Sequence, residues 1–146
     1  MGVGVRVRPL VVFVCEHGAA KSVVAAAWLR RLADEAGLPL DAVACGTDPS
    51  PELSPDAMAG LARDGIAPAP GRPQRLHRDE VRRAWRVVRF GQDLSIPVPS
   101  TSPVETWDVP AVSDGYDAAR DAIVSRLKQL LAVARAAHAP DRGAGA

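Results

Sequence analysis

Residues 10 to 22 read Leu10-Val-Val-Phe-Val-Cys15-Glu-His-Gly-Ala-Ala-Lys21-Ser22. The first six form a continuous apolar run rich in β-branched side chains, the pattern of a strand buried on both faces of a parallel sheet. A loop of mostly small residues with one glycine follows, and from Ser22 the pattern turns helical. Val24, Trp28 and Leu32 share a stripe with Ala25 and Leu29, while Arg30, Arg31, Asp34 and Glu35 fall outside it. Gly37 and Pro39 end this helix, glycine as the left-handed cap and proline just beyond it. Strand, short loop and helix make the first half of a βαβ unit.

The same reading extends along the chain. Leu40 to Cys45 is a second strand, closed by Gly46-Thr47-Asp48-Pro49. Ser54-Pro55 opens a helix that runs through Ala57 to Arg63 and stops at Gly65. Residues 66 to 74 are a loop, Arg78 to Ala84 a short helix, and Arg86 to Phe90 a third strand. The proline-bearing stretch 95–110 holds one short strand, around Val104 to Trp107. Tyr116 to Ala137 is the longest helix, with Ala119, Ile123, Leu127, Leu130, Leu131 and Ala134 on its apolar face. Strands alternating with helices predict a three-layer α/β/α fold with a four-stranded, mostly parallel sheet. One domain is expected at 10–138, with an N-terminal extension at 1–9 and a flexible tail at 139–146.

Composition narrows the class. At 146 residues the chain has the length of one domain, and 47% hydrophobic with 24% charged residues is globular composition. A net charge of +1 argues against a dedicated binder of nucleic acid or of a membrane surface. No apolar run approaches the roughly 20 residues of a membrane span. The opening eight residues lack the apolar segment of a secretory signal, so a cytoplasmic location is expected. Two cysteines alone make neither a disulfide scaffold nor a four-ligand zinc site, and His77 and His138 have no partners at ligand spacing. No metal or organic cofactor is expected.

Ligands of open parallel sheets bind at the carboxyl ends of the strands, where a following helix points its N-terminus. Here that place holds Cys15 and a tight loop. Backbone N–H groups of Glu16, His17, Gly18, Ala19, Ala20, Lys21 and Ser22 can cradle an anion. A thiolate at the edge of such a cradle is stabilised, Lys21 adds a cation, and the Ser22 hydroxyl can hydrogen-bond sulfur. The set suits covalent catalysis on an oxyanion: sulfur attacks phosphorus while the cradle holds the equatorial oxygens. The plainer alternative is a buried strand-end thiol beside an ordinary βα turn. Lys21 weighs against it, because the chain has 16 Arg and only two Lys, at 21 and 128.

Val12-Phe-Val-Cys15-Glu-His-Gly-Ala-Ala-Lys21-Ser22 resembles the phosphate loop of the low-molecular-weight protein tyrosine phosphatases and the related thioredoxin-coupled arsenate reductases. In that pattern a cysteine is followed by five residues, then Arg and Ser or Thr. Ala44-Cys45-Gly46-Thr47, Gly65-Ile66, Val87-Val88-Arg89-Phe90-Gly91 and Trp107-Asp-Val-Pro110 match further family segments in order, so the resemblance covers about residues 10 to 135. It implies a phosphoester hydrolase, with phosphotyrosine among the candidate substrates, in which Cys15 is the nucleophile and a thiophosphate the intermediate. Phosphorylated or oxyanion compounds would be its substrates, and the oligomeric state stays open. The alternatives are a weak or inactive oxyanion-binding module, or an arsenate reductase served by an external small thiol such as mycothiol or glutathione.

Several departures bear on that implication. Lys21 replaces the family arginine, a point charge in place of a planar fork. Ala111-Val112 stands where the family has its acid in an Asp-Pro pair. Asp108 is taken as the replacement, with Asp114, Glu16 and His17 as further candidates. Gly18 and Ala44 replace an asparagine and a serine that brace the family loop. Gln92 falls where the reductases have a relay cysteine. Cys45 is either a packing thiol or a disulfide partner for Cys15. Arg78, Arg82 and Arg86 are expected on one helical face that could draw in anions. Trp28 is expected in the core, and Trp107 as a candidate pocket wall.

Overall fold

Six consecutive buried residues make β1 (Leu10–Cys15) an interior strand, and the sheet is built around it. The computed structural model describes residues 8–68, 71–97 and 103–138. Beside β1 lie β2 (Asp41–Gly46) and β3 (Ala84–Arg89), and β4 (Val104–Thr106) adds to β3, in the order β2-β1-β3-β4. Every pairing is parallel. The helices are α1 (Lys21–Ala36), α2 (Pro55–Arg63), α3 (Arg78–Arg83) and α4 (Tyr116–His138), with a 3-10 turn at Val112–Asp114 before α4.

Alternation along β1 divides the core into two layers. Val11, Phe13 and Cys15 face α1, α2 and α4, whose buried stripes carry Val24, Leu29, Leu61, Ile123 and Leu127. Leu10, Val12 and Val14 face the other side with Cys45, Val87 and Val81 of α3. This is the expected three-layer fold. Local signals act as read: Gly37 takes φ 70° and its N–H reaches the carbonyls of Ala33 and Asp34. The Ser54 hydroxyl accepts from the Ala57 N–H, with Pro55 in the first turn of α2. Among the described residues no helix is long and apolar enough to cross a membrane.

One expectation fails. The short helix stops at Arg83, so Arg86 lies on β3 and shares no helical face with Arg78 and Arg82. The reason is pairing: Ala84 meets Leu10 and Arg86 meets Val11 in the β1 register, and a ladder to the interior strand outweighs continuation of a one-turn helix. The Arg86 guanidinium stacks instead on Trp85, 4.3 Å from its ring centroid. The tail at 139–146 and most of the extension at 1–9 lie outside the described residues.

Candidate active site

The loop between β1 and α1 is held from one side. Carbonyls of Cys15, Glu16, His17 and Ala19 accept from the N–H groups of Thr47 (3.3 Å), Asp48 (2.7 Å), Ser50 (3.0 Å) and Ser54 (2.9 Å), all on the segment joining β2 to α2. No described peptide is cis, and a trans peptide sets its C=O and the following N–H on opposite sides. The N–H groups of Glu16, His17, Gly18 and Ala20 therefore point away from that segment, free of the brace. Each braced carbonyl turns one amide the other way, and these four are among the seven N–H groups expected from the sequence to cradle an anion.

Gly18 and Gly46 allow the two backbones to meet. Gly18 has φ +61°, and a Cβ there would lie 2.7 Å from the Gly46 nitrogen. A Cβ on Gly46 would lie 2.6 Å from the Gly18 nitrogen. Backbone contact thus takes the place of the asparagine–serine brace. A small cavity of about 70 Å³ bordered by Gly18, Ala44 and Arg30 lies alongside.

Cys15 and Ser22 come together as expected. The Cys15 sulfur is 3.0 Å from the Ser22 hydroxyl, with Ser22 fully buried. Cys15 is 8% exposed and opens on a cleft of about 780 Å³. Lys21, the first residue of α1, lines this cleft, and among the described residues its ammonium has no ion-pair partner within 4.0 Å. Cys45 is not a partner for Cys15. It sits on the opposite face of the sheet, packed with Val14, its thiol toward the Phe13 carbonyl at 3.5 Å. Burial above all pushes the Cys45 thiol far up, and both cysteines are free.

The acid candidates are scattered. Ala111, Val112 and Ser113 line the cleft where the resemblance places the acid, so that wall carries no carboxylate. Asp108 borders a side groove of about 300 Å³ with Gly91, Gln92, Thr106 and Trp107. Only Lys21 and Phe90 are common to groove and cleft. Asp114 borders neither. Glu16 and His17 line the cleft, but the His17 Nδ1 is 3.1 Å from the Asp48 carbonyl and its Nε2 is 3.4 Å from the Glu16 carboxylate. Trp107 is 2% exposed, wedged edge-on against Phe13 and Phe90, and belongs to the core. Trp28 is half-buried and donates its indole N–H to the Tyr116 hydroxyl at 3.3 Å.

Sequence reasoning missed the contribution of the β2–α2 segment: Ser50, Pro51, Glu52 and Leu53 line the cleft. The only signal was the spacing of Pro49, Pro51 and Pro55, which marks a stiff connector. Among the described residues no group of three or more His, Cys, Asp or Glu is gathered to hold a metal.

The four-stranded parallel sheet with its flanking helices is a fold shared with solved structures of a low-molecular-weight protein tyrosine phosphatase and of arsenate reductases. No family model matches the sequence. Among solved structures the chain is similar to a thioredoxin-dependent arsenate reductase of Corynebacterium glutamicum, at 22% identity and TM-score 0.75, over 90% of this chain and 64% of that one. It thus spans under two thirds of that protein's length. A low-molecular-weight protein tyrosine phosphatase from Bacillus subtilis is similar at 22% identity and TM-score 0.73, over 91% of this chain and 99% of that one. An arsenate reductase from Archaeoglobus fulgidus gives 24% identity and TM-score 0.69, over 84% and 98% respectively.

Proposed function

We propose that the chain is a cysteine-dependent phosphatase acting on phosphoesters. The observation that carries this reading is the Cys15 sulfur 3.0 Å from a buried Ser22 hydroxyl, beside a loop whose braced carbonyls leave its amides to an anion. Those amides and the N-terminus of α1 hold the equatorial oxygens, and Lys21 supplies the charge that the family takes from arginine. Sulfur attacks phosphorus, the ester oxygen departs with the bonding pair, and water then releases phosphate from the thiophosphate. The Ser22 hydroxyl stabilises sulfur as it becomes the leaving group. Hydrolysis of p-nitrophenyl phosphate, inhibited by vanadate and abolished in Cys15→Ser, is the expected result. Turnover that survives Cys15→Ser would sink the reading.

Lys21 and Ala111 favour a second reading, an oxyanion-binding module of low turnover. Vanadate binding without hydrolysis of any aryl phosphate would select it. Arsenate reduction, the activity named for two of the similar structures, would need an external thiol here, because Cys45 lies across the sheet from Cys15. Arsenate turnover that depends on an added small thiol would identify that chemistry.

A further inference from the structure

Resting on the phosphatase reading, we propose that Glu52 is the catalytic acid that protonates the leaving group. The titratable groups lining the cleft are Cys15, Glu16, His17, Lys21 and Glu52. Two of them are carboxylates. Glu16 follows the nucleophile directly and is occupied by His17 at 3.4 Å, whereas Glu52 has no hydrogen-bond or ion-pair partner among the described residues. Asp108 stands in the side groove, with Lys21 and Phe90 on the border between groove and cleft.

Glu52 is also held in place. The Ser50 N–H is tied to the His17 carbonyl and the Ser54 N–H to the Ala19 carbonyl, so residue 52 sits midway along an arch pinned at both feet to the anion loop. Pro51 fixes φ within the arch, Pro49 and Pro55 stiffen the chain on either side of it, and the neighbouring Leu53 packs on the core. The backbone carrying this carboxylate is therefore fixed relative to the cradle, although its side chain is exposed to incoming substrate.

The chemistry balances in two steps. As the S–P bond forms and the P–O bond to the leaving group breaks, the electron pair goes to the ester oxygen and the Glu52 proton joins it, giving an alcohol and a carboxylate. That carboxylate then takes a proton from water as the water oxygen attacks phosphorus. The S–P bond breaks, phosphate leaves, and the Cys15 thiolate and the Glu52 acid are restored.

The test is a leaving-group series on Glu52→Gln, from dinitrophenyl phosphate to phenyl phosphate. An acid matters only where the departing oxygen is basic. The expected loss in kcat/KM is about 10²-fold or more for phenyl phosphate and slight for the dinitrophenyl ester. Glu52→Asp should restore part of the lost rate. An even loss across the series, no loss at all, or the graded loss appearing in Asp108→Asn instead would overturn the assignment while leaving Cys15 as nucleophile. Absence of turnover with every ester would remove the phosphatase reading and this assignment together.

Discussion

Ser22 shows how much one hydroxyl carries. It is fully buried, and its described partner is the Cys15 sulfur, so it meets the requirement for a buried polar group through the proposed nucleophile itself. A hydrogen bond to a charged partner contributes about 1.5–3 kcal/mol, which is roughly 10–100-fold in rate. Ser22→Ala is expected to slow both turnover and iodoacetamide labelling of Cys15 on about that scale, with the melting curve little changed. Stopped-flow alkylation beside steady-state kinetics checks it. Lys21 is the neighbouring case. A guanidinium can grip two oxygens where an ammonium grips as a point charge, so Lys21→Arg should raise kcat/KM for p-nitrophenyl phosphate several-fold. A fall would mean that the pocket is shaped around lysine for a different oxyanion.

The loop and β2 illustrate what adjacent elements impose on each other. Gly18 could be read from the sequence as a left-handed position, and its φ of +61° agrees. Its contact with Gly46 could not be read, because 28 positions separate residues that pairing brings to 2.6 Å of a virtual Cβ. Gly46→Ala must push backbone against backbone, and forced overpacking of this kind costs about 1–3 kcal/mol. The variant should melt lower and bind vanadate more weakly, since the loop it displaces is the proposed anion cradle. Unchanged vanadate affinity, measured by titration, would detach the cradle from this contact. The boundary between α3 and β3 has the same character. Arg78 to Arg86 has helical charge spacing, yet the ladder to β1 claims Ala84 onward.

Across the three helices on the cysteine side, one polar chain ties α1, α2 and α4 together. The Trp28 indole donates to the Tyr116 hydroxyl, which donates to Asp64 at 2.8 Å, and Arg120 grips both Asp64 oxygens at 3.0 and 3.1 Å. Gly60 makes room for it, because a Cβ there would fall 2.2 Å from the Tyr116 ring. Burial opposes the charge on Asp64. The hydrogen bonds from Tyr116 and Arg120, with the nearby arginine charges, outweigh it and hold the carboxyl below its usual range. Its stabilisation is complete above the unfolded value of about 3.9 and drains as pH falls through the lowered folded value. Asp64→Asn should therefore melt lower at neutral pH and lose less on acidification below about pH 4. Burial, aided by Asp64 and opposed by the Trp28 N–H, pushes the Tyr116 phenol up to about 12. The stability it contributes is present below about pH 10 and lost as pH rises through that raised value. Tyr116→Phe should flatten that alkaline decline; thermal melts across both pH ranges measure the two limbs.

Burial on both faces of β1, the caps at Gly37 and Ser54, and the cysteine loop with Lys21 and Ser22 were legible along the chain, because each depends on residues within a turn or two. Asp108 is named from the sequence because it stands three residues before Ala111, where the resemblance places the acid; its position in a side groove that meets the cleft only at Lys21 and Phe90 is information that spacing along the chain does not contain. The arch bearing Glu52, the Gly18–Gly46 contact and the separation of Cys15 from Cys45 arise only when strands pair. A parallel register sets which residues face which layer, and no local pattern contains the neighbour it pairs with.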